Sequence, residues 1–123
     1  MDQTRDFHNY KVWQDAVAYA TYIYEVTSKM PYFEKKGLCD QLQRAVVSIS
    51  SNIAEGSGHP SDGDFAHYLD IALGSAYEVE TQLIIAGNVG YIKSDQLSDL
   101  LYKNKSIQSQ LVALIRSIRK TNK

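Results

Sequence analysis

Gln41-Leu42-Gln43-Arg44-Ala45-Val46-Val47-Ser48-Ile49-Ser50-Ser51-Asn52-Ile53-Ala54-Glu55-Gly56 is the stretch whose reading decides the fold. At helical period it carries two stripes. Leu38, Leu42, Ala45/Val46, Ile49 and Ile53 form an apolar face, and Gln41, Arg44, Ser48, Ser51/Asn52 and Glu55 form an equally regular polar one. A surface helix ordinarily turns lysine and glutamate to water. This polar face holds short side chains with one arginine and one glutamate, which suits packing against a further helix. Gly56 and Gly58 then stop the segment.

Three more helical patterns flank it, and no alternating strand pattern occurs. The first spans about Asn9 to Ser28, where Trp13, Ala16/Val17, Ala20, Ile23/Tyr24 and Thr27 recur at steps of three and four, and Met30-Pro31 ends it. The second is the striped helix, about Leu38 to Glu55. The third opens on Ser61-Asp62-Gly63-Asp64, with Ser61 as N-cap and two carboxylates at the positive helix end. Its seam, Phe65, Leu69, Ala72, Ala76, Val79, Leu83 and Ala86, keeps a heptad repeat to Val89-Gly90, which predicts shallow bundle packing. The fourth starts at Ser94 and carries Leu97, Leu100/Leu101, Ile107, Leu111, Leu114/Ile115 and Ile118. Short connections make consecutive helices antiparallel neighbours. The expected fold is all-α, an antiparallel up-and-down four-helix bundle forming one domain over residues 1–123, with a polar N-terminus to about residue 8 and a basic tail from about 119.

Composition sets outer bounds. Hydrophobic residues make up 44% and charged residues 22%, the balance of a globular chain. A single cysteine, Cys39, offers no internal disulfide and fits a reducing compartment, and no apolar run is long enough for a membrane helix. The expectation is a soluble cytoplasmic protein. A net charge of -1 hides an asymmetry: all 14 acidic residues precede Lys103, while Lys103, Lys105, Arg116, Arg119, Lys120 and Lys123 follow without an acid. Such a tail reads as a nucleic-acid arm through Arg116, Arg119, Lys120 and Lys123. The preferred reading is a helix end whose cations suit its dipole and face the acids between Glu55 and Glu80.

Folding the third helix back on the second about Gly58 sets Arg44 near Gly74 with Glu78 one turn along, Ser48 near Asp70, and Asn52 near Ala66/His67. A glycine in mid-helix costs about 1 kcal/mol against alanine, and a close helix approach usually compensates. The expectation is a structural polar network of Gln41, Arg44, Ser48, Asn52, Glu55, Asp70, Gly74, Ser75 and Glu78, in which Gly74 and Ser75 admit a neighbouring helix and Arg44 pairs with Glu78 or Asp70. An anion site on Arg44 is the functional alternative. Catalysis finds no support. His8, His59 and His67 lack metal-ligand spacing, no Glu-x-x-His pair exists, and no phosphate loop or nucleophile elbow appears. No enzyme activity, catalytic residue, metal, cofactor or small-molecule substrate is expected.

Nine tyrosines is a high count, and Tyr19, Tyr22 and Tyr68 fall off the apolar seams. Tyrosine suits interfaces because its ring buries area while its hydroxyl stays satisfied. Ile71, Leu73, Ile84 and Ile85 add apolar positions outside the third helix's seam, so this helix needs cover on more than one side. Self-association supplies it.

Val12-Trp13-Gln14-Asp15-Ala16, Gly37-Leu38, Gln41-Leu42-Gln43-Arg44-Ala45, Ser48-Ile49 and Ser51-Asn52-Ile53-Ala54-Glu55-Gly56 resemble the bacterial four-helix bundle proteins encoded in intervening sequences of 23S rRNA genes. Phe65, Leu69, Ile71-Ala72-Leu73-Gly74-Ser75, Glu78, Glu80, Gln82-Leu83 and Gly90-Tyr91 continue the likeness, over about residues 7 to 118. Members are often labelled ribosomal proteins because of where their genes sit. The family is similar to the accessory variability protein of diversity-generating retroelements, a barrel-like pentamer that engages a reverse transcriptase and nucleic acid through a basic surface. The resemblance implies a homopentamer with a nucleic-acid-related role. Ser50 stands where many relatives have proline, and the loop Gly56-Ser57-Gly58-His59-Pro60-Ser61-Asp62 lacks the arginines relatives often carry there. The expected function is a non-enzymatic homo-oligomeric scaffold that binds a macromolecular partner, a nucleic acid or a nucleic-acid enzyme. The alternative is direct RNA or DNA binding by the basic C-terminal helix end.

Overall fold

The computed structural model describes residues 5–121. Expectations that fall on residues 1–4 and 122–123, Lys123 among them, lie outside the described residues. Four helices follow in order: α1 (Lys11–Thr27), α2 (Leu38–Ser57), α3 (Asp62–Asn88) and α4 (Ser94–Thr121). Short 3-10 turns at Phe7–Asn9 and Tyr32–Glu34 precede α1 and α2. Each helix packs on its neighbours in the chain, and α4 returns to α1, while among the described residues the diagonal pairs bring no backbone close together. This is the up-and-down four-helix bundle. Its most extensive contact is between α2 and α3, and its loosest is between α1 and α4.

The heptad seam of α3 is buried throughout, from Phe65 to Ala86. Leu42, Ala45, Val46, Ile49 and Ile53 of α2 face it, with Leu38 half-buried at the start. Ser61 caps α3 as its sequence suggests, its Oγ accepting from the Asp64 amide at 3.0 Å. Full burial of a leucine or isoleucine side chain stabilises by about 2 kcal/mol, so this seam holds the bundle together. Gly90 ends the α3 connection with φ 87, a left-handed conformation that glycine tolerates best.

The stripe of α1 is rotated from its expected position. Val12, Ala16, Tyr19, Ile23 and Val26 face the core, while Val17 and Tyr24 point outward. Trp13 is half-buried and meets the rings of Phe7 and His8 at 5.0 and 5.2 Å. The rotation brings in Tyr19, which the sequence places off the seam. Burial is tolerated because its hydroxyl donates to the Leu100 carbonyl at 3.0 Å.

The register of α2 against α3 also differs. Ser48 meets Ser75 at 2.9 Å rather than Asp70, a displacement of five residues along α3. Gln82 reaches Gln41 in the same register. The glycines that admit neighbours are accordingly Gly56 and Gly87. A Cβ at Gly56 would lie 2.5 Å from Tyr68 Cβ, and one at Gly87 would lie 2.5 Å from Leu97 Cδ2. At Gly74 a Cβ would meet nothing within 4 Å among the described residues, so none of the other three helices lies against it.

Candidate interaction surfaces

Two polar regions and one basic groove hold the chemistry of the molecule. The first polar region lies inside. Asn104 on α4 is 1% exposed, and its Nδ2 donates to the Tyr19 hydroxyl at 3.2 Å and to the Ala76 carbonyl at 3.1 Å. Gln108, one turn on, donates to Asn104 Oδ1 at 2.5 Å and to Glu80 Oε1 at 2.7 Å. Three helices are thereby tied through their centre, and burial raises the Tyr19 pKa well above the ordinary 10.0. Sequence reading missed this chain. Its available signal was position: Asn104 and Gln108 fall at helical steps between Leu100 and Leu111.

The second polar region is the outer face of α2 and α3, where most of the expected network lies. Asn52 Nδ2 donates to the Ser48 carbonyl at 2.8 Å and to Ser48 Oγ at 2.9 Å, and Ser48 meets Ser75. The structure joins these three. It does not join Arg44 to Glu78 or Asp70. In the displaced register the position level with Arg44 is the buried Val79. Arg44 Nε instead donates to Asp40 Oδ2 of its own helix at 3.0 Å, and its side chain is 79% exposed. Asp70 is bound by Arg119 of α4. Glu78 is exposed and meets no cation among the described residues. Glu55 is exposed too; its charge, ahead of desolvation, raises the pKa of the Tyr68 hydroxyl. Gln41 is exposed beside the buried Gln82, whose Nε2 stands 3.5 Å from Gln41 Oε1. Gln82 Oε1 has no hydrogen-bond partner among the described residues.

Between α3 and α4 runs a groove of about 380 Å³ lined by Tyr77, Lys105, Gln108, Ser109, Val112 and Arg116. Tyr77 is half exposed, and no acid bonds Lys105 or Arg116 among the described residues. Of the cations expected to touch nucleic acid, Arg116 and Lys120 are exposed, whereas Arg119 is held by Asp70. A fourth feature is an apolar recess of about 240 Å³ between α1 and α4, lined by Tyr19, Tyr22, Tyr102 and Ile107. Asp15 on its rim accepts from Lys11 at 2.5 Å and from Gln110 at 2.9 Å. Partial burial pushes the Asp15 pKa up, but these bonds outweigh it and leave the carboxyl below its ordinary value.

Cys39 is buried, with its thiol 3.6 Å from the Thr27 carbonyl and its pKa raised by burial. Among the described residues no group of three or more His, Cys, Asp or Glu could hold a metal, and no helix is long and apolar enough to cross a membrane.

Fold and surfaces together define a helical-bundle protein whose chemistry lies in packing and in exposed faces. The chain belongs to the family of 23S rRNA-intervening sequence proteins, whose model matches residues 8–113. A solved structure similar to it is that of a protein of unknown function from the S23 ribosomal protein family of Bacteroides thetaiotaomicron. The two share 26% identity over 85% of this chain and 95% of that one, with a TM-score of 0.80. No curated protein matches the chain. The matched family is not a known enzyme family.

Proposed function

We propose that this chain is a non-enzymatic scaffold that assembles with copies of itself, five as the resemblance implies, and presents that assembly to a macromolecular partner in the cytoplasm. The partner is a nucleic acid or an enzyme that acts on one. The observation that carries the reading is the outside of α3. Its seam fills the core, yet Ile71, Tyr77, Ile84, Ile85 and Val89 remain exposed. Exposed apolar side chains that recur along one helix suit an interaction surface, since a single folded chain gains nothing by wetting them. Thermal unfolding over a series of protein concentrations tests it. The midpoint rises with concentration for an assembly and stays constant for a single chain.

A second reading is favoured by the α3–α4 groove, where Tyr77 lies with Lys105 and Arg116. A ring beside two cations suits a base and its flanking phosphates. Direct binding would show as affinity for labelled single-stranded RNA that falls steeply with salt and is lost in Lys105→Ala/Arg116→Ala. Unchanged affinity in that variant contradicts the second reading and leaves the scaffold reading standing.

A further inference from the structure

We infer that the outer face of α2 docks on the outer face of α3 of a second copy, with Arg44 of one copy paired to Glu78 of the next. The inference rests on the self-association proposed above and names the surface that carries it. Four observations meet on this face.

The first is apolar exposure: Val47 on α2 and Ile71 and Ile85 on α3 are 40%, 40% and 47% exposed. The second is Gly74. A glycine in mid-helix sacrifices helix stability, and here no neighbour in the same chain compensates, because a Cβ would enter open space. What remains is a notch in the surface of α3 between Ile71 and Glu78. The third is Gln82, one turn beyond Glu78, which is 6% exposed and has an Oε1 that no donor meets. A buried carbonyl oxygen without a donor is disfavoured, and a donor arriving across an interface satisfies it. The fourth is charge. Arg44 is held only along its own helix by an exposed pair of the kind that contributes little, so it can exchange partners. Glu78 has no cation near it among the described residues.

The spacing of these residues specifies how two copies meet. Arg44, Val47 and Ser51 form a ridge on α2 at steps of three and four, and Glu78, Gly74 and Ile71 run along α3 at steps of four and three in the reverse direction. With Val47 seated in the Gly74 notch, an antiparallel α2 brings Arg44 beside Glu78 and Ser51 beside Ile71, because three or four residues make one helical turn on either side. The face is thus complementary to a second copy of itself. A nucleic acid fits it poorly, since Glu55 and Glu78 would confront its phosphates. Each copy carries one α2 ridge and one α3 notch, so the contact is met twice in a two-fold pair and repeats from copy to copy in a larger, head-to-tail assembly.

Light scattering on charge-swapped variants tests this. Arg44→Glu and Glu78→Arg are each expected to lower the mass to that of one chain, 13.9 kDa, and the double variant to regain the wild-type mass. Gly74→Leu guards against misfolding as the explanation. Its side chain enters open space in the monomer and suits a helix better than glycine, so helical circular dichroism is retained while assembly is lost. Single variants or Gly74→Leu that keep the wild-type mass, or a double variant that stays at one chain, overturn the docking face and leave self-association intact. A wild type that is itself one chain removes self-association, and this inference with it.

Discussion

The inner polar chain and the outer α2–α3 face are built from similar residues and end in opposite conditions. Inside, the amide nitrogens of Asn104 and Gln108 each donate two hydrogen bonds, and Tyr19 both donates and accepts. Outside, among the described residues, Gln82 keeps an orphaned oxygen, Gly74 fronts empty space, and Glu78 lacks a cation. A polar group buried within one chain must find its partner there. On the self-association proposed above, one left incomplete at the rim of a packed seam is completed by a second copy. The proposal thus separates residues that specify the bundle from residues that would specify its assembly.

Breaking the inner chain should have the largest effect on the single subunit. Asn104→Leu removes the donor to Tyr19 and Ala76 and leaves Gln108 bonded to Glu80 alone, and should cost about 3 kcal/mol in urea unfolding. A loss below about 1 kcal/mol would mean that water or repacking replaces it. Tyr19→Phe deletes one buried hydroxyl and should cost about 1 kcal/mol. Gly74→Ala, measured on an Arg44→Glu background to keep subunits apart, should stabilise the fold by about 1 kcal/mol, since nothing opposes the added methyl. The smallest effect belongs to Arg44→Ala on the same measurement in separated subunits. Its exposed pair with Asp40 predicts a change within about 0.5 kcal/mol.

Alkaline pH sharpens the same contrast. The Tyr19 pKa is raised in the folded state, so folding favours its protonated form. Its contribution is fully present below the unfolded value of 10.0 and is lost as pH rises above it toward the higher folded value. Stability should therefore fall above about pH 10, and Tyr19→Phe should flatten that fall. An unaltered alkaline limb in the variant would place the sensitivity in another tyrosine.

Helix number, order and the α3 seam were legible because a heptad repeat of Leu, Val, Ala and Phe states its own periodicity. The Ser61 cap was legible for a similar reason, being a local hydrogen bond between near neighbours. The register of α2 on α3 was not. It depends on where the turn centres and on which small polar residues meet across it, and Ser48 found Ser75 instead of Asp70. The Arg44–Glu78 pairing was expected within one chain, and the displaced register removes it there. Tyr19 and Asn104 were missed because periodicity ranks residues by apolarity, while their burial depends on partners contributed by other helices. Of the tail, the contact between Arg119 and the acids of α3 was legible as charge complementarity, and it is made with Asp70.

One number bears on all of this: the mass of the wild-type protein at high micromolar concentration. Light scattering should return a multiple of 13.9 kDa that survives moderate salt. A particle of one chain, unchanged on concentration, would show that the exposed face of α2 and α3 is simply solvated, and would contradict the account.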